Sequence, residues 1–177
     1  MAEETRYDRL IAAAARYREL AGENYARIRA LAEAIQSGFC AYLNSNDPPC
    51  VRLVPPQGPF EPKEYGDRAF SIAKTDFQPL APIAFGLAVR VSESNDWIRV
   101  VLSCMKEGET FTISFGENRH HRFALPLADE DPLEFFAALY THVEDFFVAA
   151  TDDYEHGRYG NQDIGFDFSP ARGGEGA

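Results

Sequence analysis

Ala81-Pro82-Ile83-Ala84-Phe85-Gly86-Leu87-Ala88-Val89-Arg90-Val91, the polar run Ser92-Glu93-Ser94-Asn95-Asp96, and Trp97-Ile98-Arg99-Val100-Val101-Leu102-Ser103-Cys104-Met105 together decide the fold. Strand side chains alternate with period two, so Ile83, Phe85, Leu87, Val89 and Val91 share one face. The opposite face carries Ala84, Gly86, Ala88 and Arg90. Small residues let another backbone, typically a helix, approach closely. Both arms are apolar on both faces, which predicts two central strands paired antiparallel through the polar turn.

Downstream of the hairpin, Thr110 to Phe115 alternates, with Phe111, Ile113 and Phe115 aligned and Thr110, Thr112 and Ser114 opposite. That predicts a strand with one wet or lightly covered face. His121 to Leu127 reads as the next strand, giving an antiparallel meander of at least four. Upstream, Cys50 to Val54 predicts a short edge strand and Ala69 to Lys74 a further one. Between them Pro55 to Pro62 is too proline-rich for regular structure and predicts a loop crossing the surface.

Two helices flank the meander. Residues 5 to 43 read as one long helix, or as two in line with a break near Gly22, because glycine weakens a helix interior by about 1 kcal/mol. Thr5 and Asp8 form a capping pattern. Tyr7, Ala14, Ala21, Ile28, Ile35 and Tyr42, with Leu10, Tyr17 and Leu31, make a heptad-like stripe with two flaws, Asn24 and Gly38. The stripe allows two readings, a homodimer seam through the N-terminal helix or a face laid across the chain's own sheet. At 1.5 Å per residue the helix is about 55 Å long, so part of it is expected to project. The second helix starts at Asp131-Pro132 and carries Leu133, Phe136, Leu139, Tyr140, Val143, Phe147, Ala150 and Tyr154 at helical spacing. The fold class is therefore α+β: a long N-terminal helix, an antiparallel meander, and a C-terminal amphipathic helix on the sheet. Residues 1–168 read as a single domain and 169–177 as a flexible Gly-rich tail.

Charge is unevenly placed. The net charge is −11. Residues 127–168 hold eleven acids against one base, Arg158, a local balance of −10. Such a field repels phosphate and steers basic partners, which argues against nucleic acid and for a basic protein partner. Glu144, Asp145, Asp152, Asp153 and Glu155 are the expected docking residues. A solubilising face is the alternative reading of the same charges.

Chemistry is weakly signalled. His142 and Asp145 are three residues apart on the helix, and His156 follows, which sketches a metal site. The spacing matches no established ligand pattern. No nucleophile elbow, phosphate loop, dinucleotide fingerprint or zinc-protease helix occurs, so no cofactor is indicated. The aromatics of sheet and second helix either pack as core or line a small-molecule cavity. Cys40, Cys50 and Cys104 have no metal spacing and read as reduced thiols. Glu3 and Glu4 stand where a signal peptide would be basic, and no run approaches a membrane span; a cytoplasmic protein with no membrane partner is expected. The leading reading is a non-catalytic acidic interaction protein. The second is a small-molecule or metal-binding protein with a site between sheet and C-terminal helix.

Overall fold

The computed structural model describes residues 4–72, 77–124 and 132–158 and the backbone of 166–169. The chain opens with α1 (Arg6–Leu43), one continuous helix of 38 residues. Its capping box forms as the sequence predicts: the Asp8 amide donates to Thr5 Oγ1 at 3.1 Å, and the Thr5 amide donates to Asp8 Oδ2 at 2.9 Å. Asn44, in the left-handed region at φ 52°, ends it. Gly22 does not break the helix.

Strand β1 (Val51–Val54) follows, then the covering loop, a 3-10 turn (Gly66–Ala69), β2 (Ile83–Arg90), β3 (Trp97–Glu107), β4 (Thr110–Phe115), β5 (Arg119–Ala124), α2 (Pro132–Glu155) and β6 (Phe166–Ser169). All pairings are antiparallel and the order is β1-β2-β3-β4-β5. The central register pairs Phe85 with Leu102 and Val89 with Ile98. Asn95, at φ 72°, closes that hairpin. β3 is longer than any one neighbour, so its second edge is shared: Leu102 to Glu107 pair with β4, and Trp97 to Val100 pair with β6.

Several expectations are corrected. Of the strand expected over Ala69 to Lys74, the described part, Ala69 to Ile72, forms none: Phe70 makes an isolated bridge to Phe85 after the 3-10 turn, and 73–76 lie outside the described residues. β5 starts at Arg119, and its expected extension to Leu127 lies outside them too, as does the Asp131 cap. Ser169, assigned to the tail, pairs with Trp97; residues 170–177 are outside the described set. Cys40 and Cys50, expected as reduced thiols, are joined in a disulfide, while Cys104 is free and buried.

Both helices pack on one face of the sheet. Phe85, Phe111 and Phe135 are fully buried there with Ile28, Leu31 and Ile35 of α1. Each such side chain contributes about 1.5–3 kcal/mol by leaving water. The long stripe of α1 is therefore used against its own sheet from Ala21 onward, which rules out a dimer seam along its whole length. Tyr17 still meets the chain, stacking on Phe77 at 5.1 Å and accepting from the Leu80 amide at 2.8 Å; the turns before Ala14 project, with Tyr7 69% and Leu10 64% exposed.

The other face of the central strands is covered by a loop rather than a helix. Residues 55–65 fold back over Gly86, Ala88, Trp97 and Arg99. A Cβ on Gly86 would stand 2.8 Å from the Val54 carbonyl oxygen and 2.9 Å from that of Pro55, so only glycine admits this cover. Arg99, 3% exposed, donates to the carbonyls of Pro55 (3.0 Å) and Gly58 (2.7 Å) and lies over the Phe60 ring. Tyr25 and Arg29 of α1 both donate to Asp67, anchoring the far end of the loop. Desolvation, then the bond to Asp67, pushes the Tyr25 hydroxyl up to about 12.

Candidate interaction surface

The phase of α2 sets what it shows to solvent. Phe135, Phe136, Leu139 and Val143 are buried. At 100° per residue their directions centre on one side of the helix. Glu134, Glu144, Asp145, Asp152 and Glu155 fall on the opposite side, and all are exposed. Asp153 lies nearer the buried side and is half-buried. The expected stripe is thus corrected in phase: Phe135 is inside, whereas Leu133, Tyr140 and Phe147 are exposed.

The carboxylates are not matched by arginines of α1, whose ion pairs go to Glu19, Glu33 and Asp67. Arg158 engages two of them, with Nε 2.9 Å from Asp153 Oδ1 and Nη2 3.0 Å from Asp152 Oδ2. The Tyr140 hydroxyl donates to Glu144 at 2.7 Å, which raises its pKa. Among the described residues, Glu134, Asp145 and Glu155 make no ion pair. Asp129, Glu130, Asp131 and Asp163 lie outside the described residues, as does the side chain of Asp167.

The sketched metal site is not assembled. His142 and His156 are fourteen residues apart on one helix line, about 21 Å at 1.5 Å per residue. The His142 ring packs edge-on against Phe115 at 5.3 Å and fills the space above Gly116, where a Cβ would stand 2.8 Å from its Cε1. His156 instead turns back on Asp152, with Nδ1 2.8 Å from its carbonyl oxygen. Among the described residues no group of three or more His, Cys, Asp or Glu is placed to hold an ion.

The sheet aromatics close into core, but a groove of about 390 Å³ remains where α1 ends against α2. Phe39, Leu43, Val89, Tyr140 and Val143 line it, with Arg90 and Glu144 contributing the charged groups. Arg90 is held by the Asp47 carbonyl (2.6 Å) and Ser45 Oγ (3.0 Å). Sequence reasoning missed this groove, because Leu43 and Val89 come together only through tertiary packing. No helix among the described residues is long and apolar enough to cross a membrane. Comparison of the chain with family models, curated proteins and solved structures finds no match.

Proposed function

We propose that this is a non-catalytic interaction protein, of the inhibitor, immunity or chaperone kind, that docks a basic protein through the solvent face of α2. Glu144, Asp145, Asp152, Asp153 and Glu155 are the docking residues. The observation that supports the reading is the placement of Glu144, Asp145, Asp152 and Glu155 on the side of α2 turned away from Phe135 and Leu139, beside exposed Tyr140 and Val148, with Asp153 at the margin of that face. Like charges along one face raise the local potential and steer cations toward it, and the apolar side chains among them supply the contact area that charge alone lacks.

The test is titration with a labelled Lys- and Leu-rich helical peptide at two salt concentrations. Binding is expected to weaken with salt. Glu144→Lys with Asp145→Lys should weaken it about tenfold or more, equivalent to about 1.4 kcal/mol. Glu61→Lys with Glu64→Lys, on the loop side of the sheet, should not. Equal loss from both pairs, or no binding, overturns the reading.

A second reading, small-molecule binding between sheet and α2, rests on the groove beside Arg90. Apolar carboxylate fragments should then shift the amide resonances of Val89, Tyr140 and Val143, and a fragment screen that moves none of them overturns it. The cytoplasmic location is likewise a proposal. The Cys40–Cys50 bond weighs against it, since disulfides persist in oxidising compartments. Counting free thiols in protein trapped with alkylating agent inside cells decides the point.

A further inference from the structure

We infer that the groove between the end of α1 and α2 receives an aromatic side chain of the basic partner, flanked in that partner by lysine or arginine. This rests on the reading of α2 as a surface for a basic protein and names the part of the partner that carries its affinity. The groove, about 390 Å³, is of the size that holds small ligands. Its walls are Phe39 and Leu43 of α1, Val89 of β2, and Tyr140, Val143 and Phe147 of α2. Rings on two of its sides favour an aromatic guest, packed offset or edge to face.

The groove opens on the ridge that borders the acidic face. Tyr140, Glu144 and Phe147 stand at i, i+4 and i+7 of α2, so one line of side chains forms the rim. By helical phase this ridge lies between buried Val143 and exposed Asp145. Tyr140 is 41% and Phe147 36% exposed. Large apolar side chains therefore meet solvent where groove and acidic face join.

Charge decides between guests. Two charged side chains line the groove, Arg90 and Glu144. The Arg90 guanidinium is already answered within the chain. Its Nη1 lies 3.2 Å from Asp47 Oδ2, and its Nη2 donates to the Asp47 carbonyl at 2.6 Å and to Ser45 Oγ at 3.0 Å. Glu144 has only the Tyr140 hydroxyl, at 2.7 Å, and no cation among the described residues. A carboxylate has acceptor sites to spare after one such bond. The uncompensated charge at the groove is thus negative, and a fitting guest brings a cation to Glu144 and an apolar body to Phe39, Leu43 and Val143. An aromatic residue with Lys or Arg one helical turn away supplies both, since residues three and four apart share a face. Aromatic anchors seated in a pocket carry most of the affinity of an interface.

Two labelled helical peptides test this, alike in their lysines and differing in a central Trp or Ala. The full chain should bind the Trp peptide at least about tenfold more tightly. Only the Trp peptide should shift the amide resonances of Val89 and Val143. Phe147→Ala removes a wall, and Val91→Trp fills the groove from an exposed position. Each should bring the Trp-to-Ala ratio below about threefold with circular dichroism unchanged. Glu144→Gln should weaken the Trp peptide only while its flanking lysine is present. Equal affinity for the two peptides, a ratio that survives both groove variants, or a Glu144→Gln loss that ignores the flanking lysine overturns the inference. Equal affinities that still fall in Glu144→Lys with Asp145→Lys sink only the anchor; a chain that binds neither peptide sinks the broader reading as well. Octanoate that shifts Val89 and Val143 in a chain that does not distinguish the peptides also overturns it and assigns the groove to small molecules.

Discussion

The ring of Phe136 occupies the space that any side chain at Gly38 would need: a Cβ built there stands 2.7 Å from Phe136 Cζ. That ring is also held by Phe39 at 5.8 Å and Tyr42 at 5.9 Å, so it has little room to yield. Gly38→Ala gains helix propensity of about 1 kcal/mol but overfills this contact, at a cost of about 1–3 kcal/mol. The net expectation is a lower urea midpoint. Gly22→Ala, where a Cβ meets nothing within 4 Å, should raise stability by about 1 kcal/mol. Opposite shifts from the same substitution on one helix are the signature; a gain at both positions would mean that α2 moves aside.

Arg99 is the bolt under the covering loop. Arg99→Leu removes the donor from the Pro55 and Gly58 carbonyls. Loss of a charged donor to buried acceptors should cost about 2–4 kcal/mol. Local opening should precede global unfolding, so proteolysis within 56–63 should accelerate in native buffer. Unchanged cleavage there would mean that Phe60 and Trp97 hold the cover alone.

Burial pushes the Cys104 thiol up to about 12 from an ordinary value of 9.0. The sign follows from which state ionises first. Below pH 9 the thiol is neutral folded or unfolded, and its full contribution to stability is present. As pH rises from 9 toward 12, only the unfolded chain ionises, and stability falls by about 1.4 kcal/mol per pH unit from this group. Cys104→Ala should lose that part of the alkaline slope while being less stable at neutral pH. Native protein should resist thiol reagents, and unreduced denatured protein should titrate one thiol, because Cys40 and Cys50 are bonded.

His121 provides the acid-side counterpart. Desolvation, helped by Arg119 and His120 and opposed by Glu134, holds its pKa below 6.5. Its ring stacks on Phe115 at 6.0 Å and meets Phe135 edge-on at 5.3 Å. Stability from the neutral ring is complete above pH 6.5 and is lost as pH falls from there through the lower folded value. His121→Phe keeps a ring against Phe115 and should flatten unfolding free energy between pH 6.5 and 5. An identical slope in the variant would assign the acid sensitivity elsewhere.

What was legible in the sequence tracks period. The central hairpin declares its register through alternation, and the acids of α2 declare their face through helical spacing. The stripe of α1 was readable, but its partner was not, since a heptad pattern fits a neighbouring helix and a sheet equally. The phase of α2 was misread because adjacent pairs, Phe135-Phe136 and Phe146-Phe147, offer two stripes about 100° apart. The loop over Gly86 has no period at all, so its role in covering Arg99 and Trp97 was invisible. Cys40 and Cys50 meet because Asn44 turns the chain back, bringing their Cα atoms to 5.5 Å.

The divided edge of β3 has a consequence for synthesis. Trp97 to Val100 receive their second partner only from Phe166 to Ser169, seventy-two residues downstream at the Trp97–Ser169 pair. On the ribosome the hairpin and β4 emerge first, with four residues of central strand still offering bare amides and carbonyls to any passing strand. The sheet remains vulnerable to the wrong neighbour until residue 169 has left the exit tunnel.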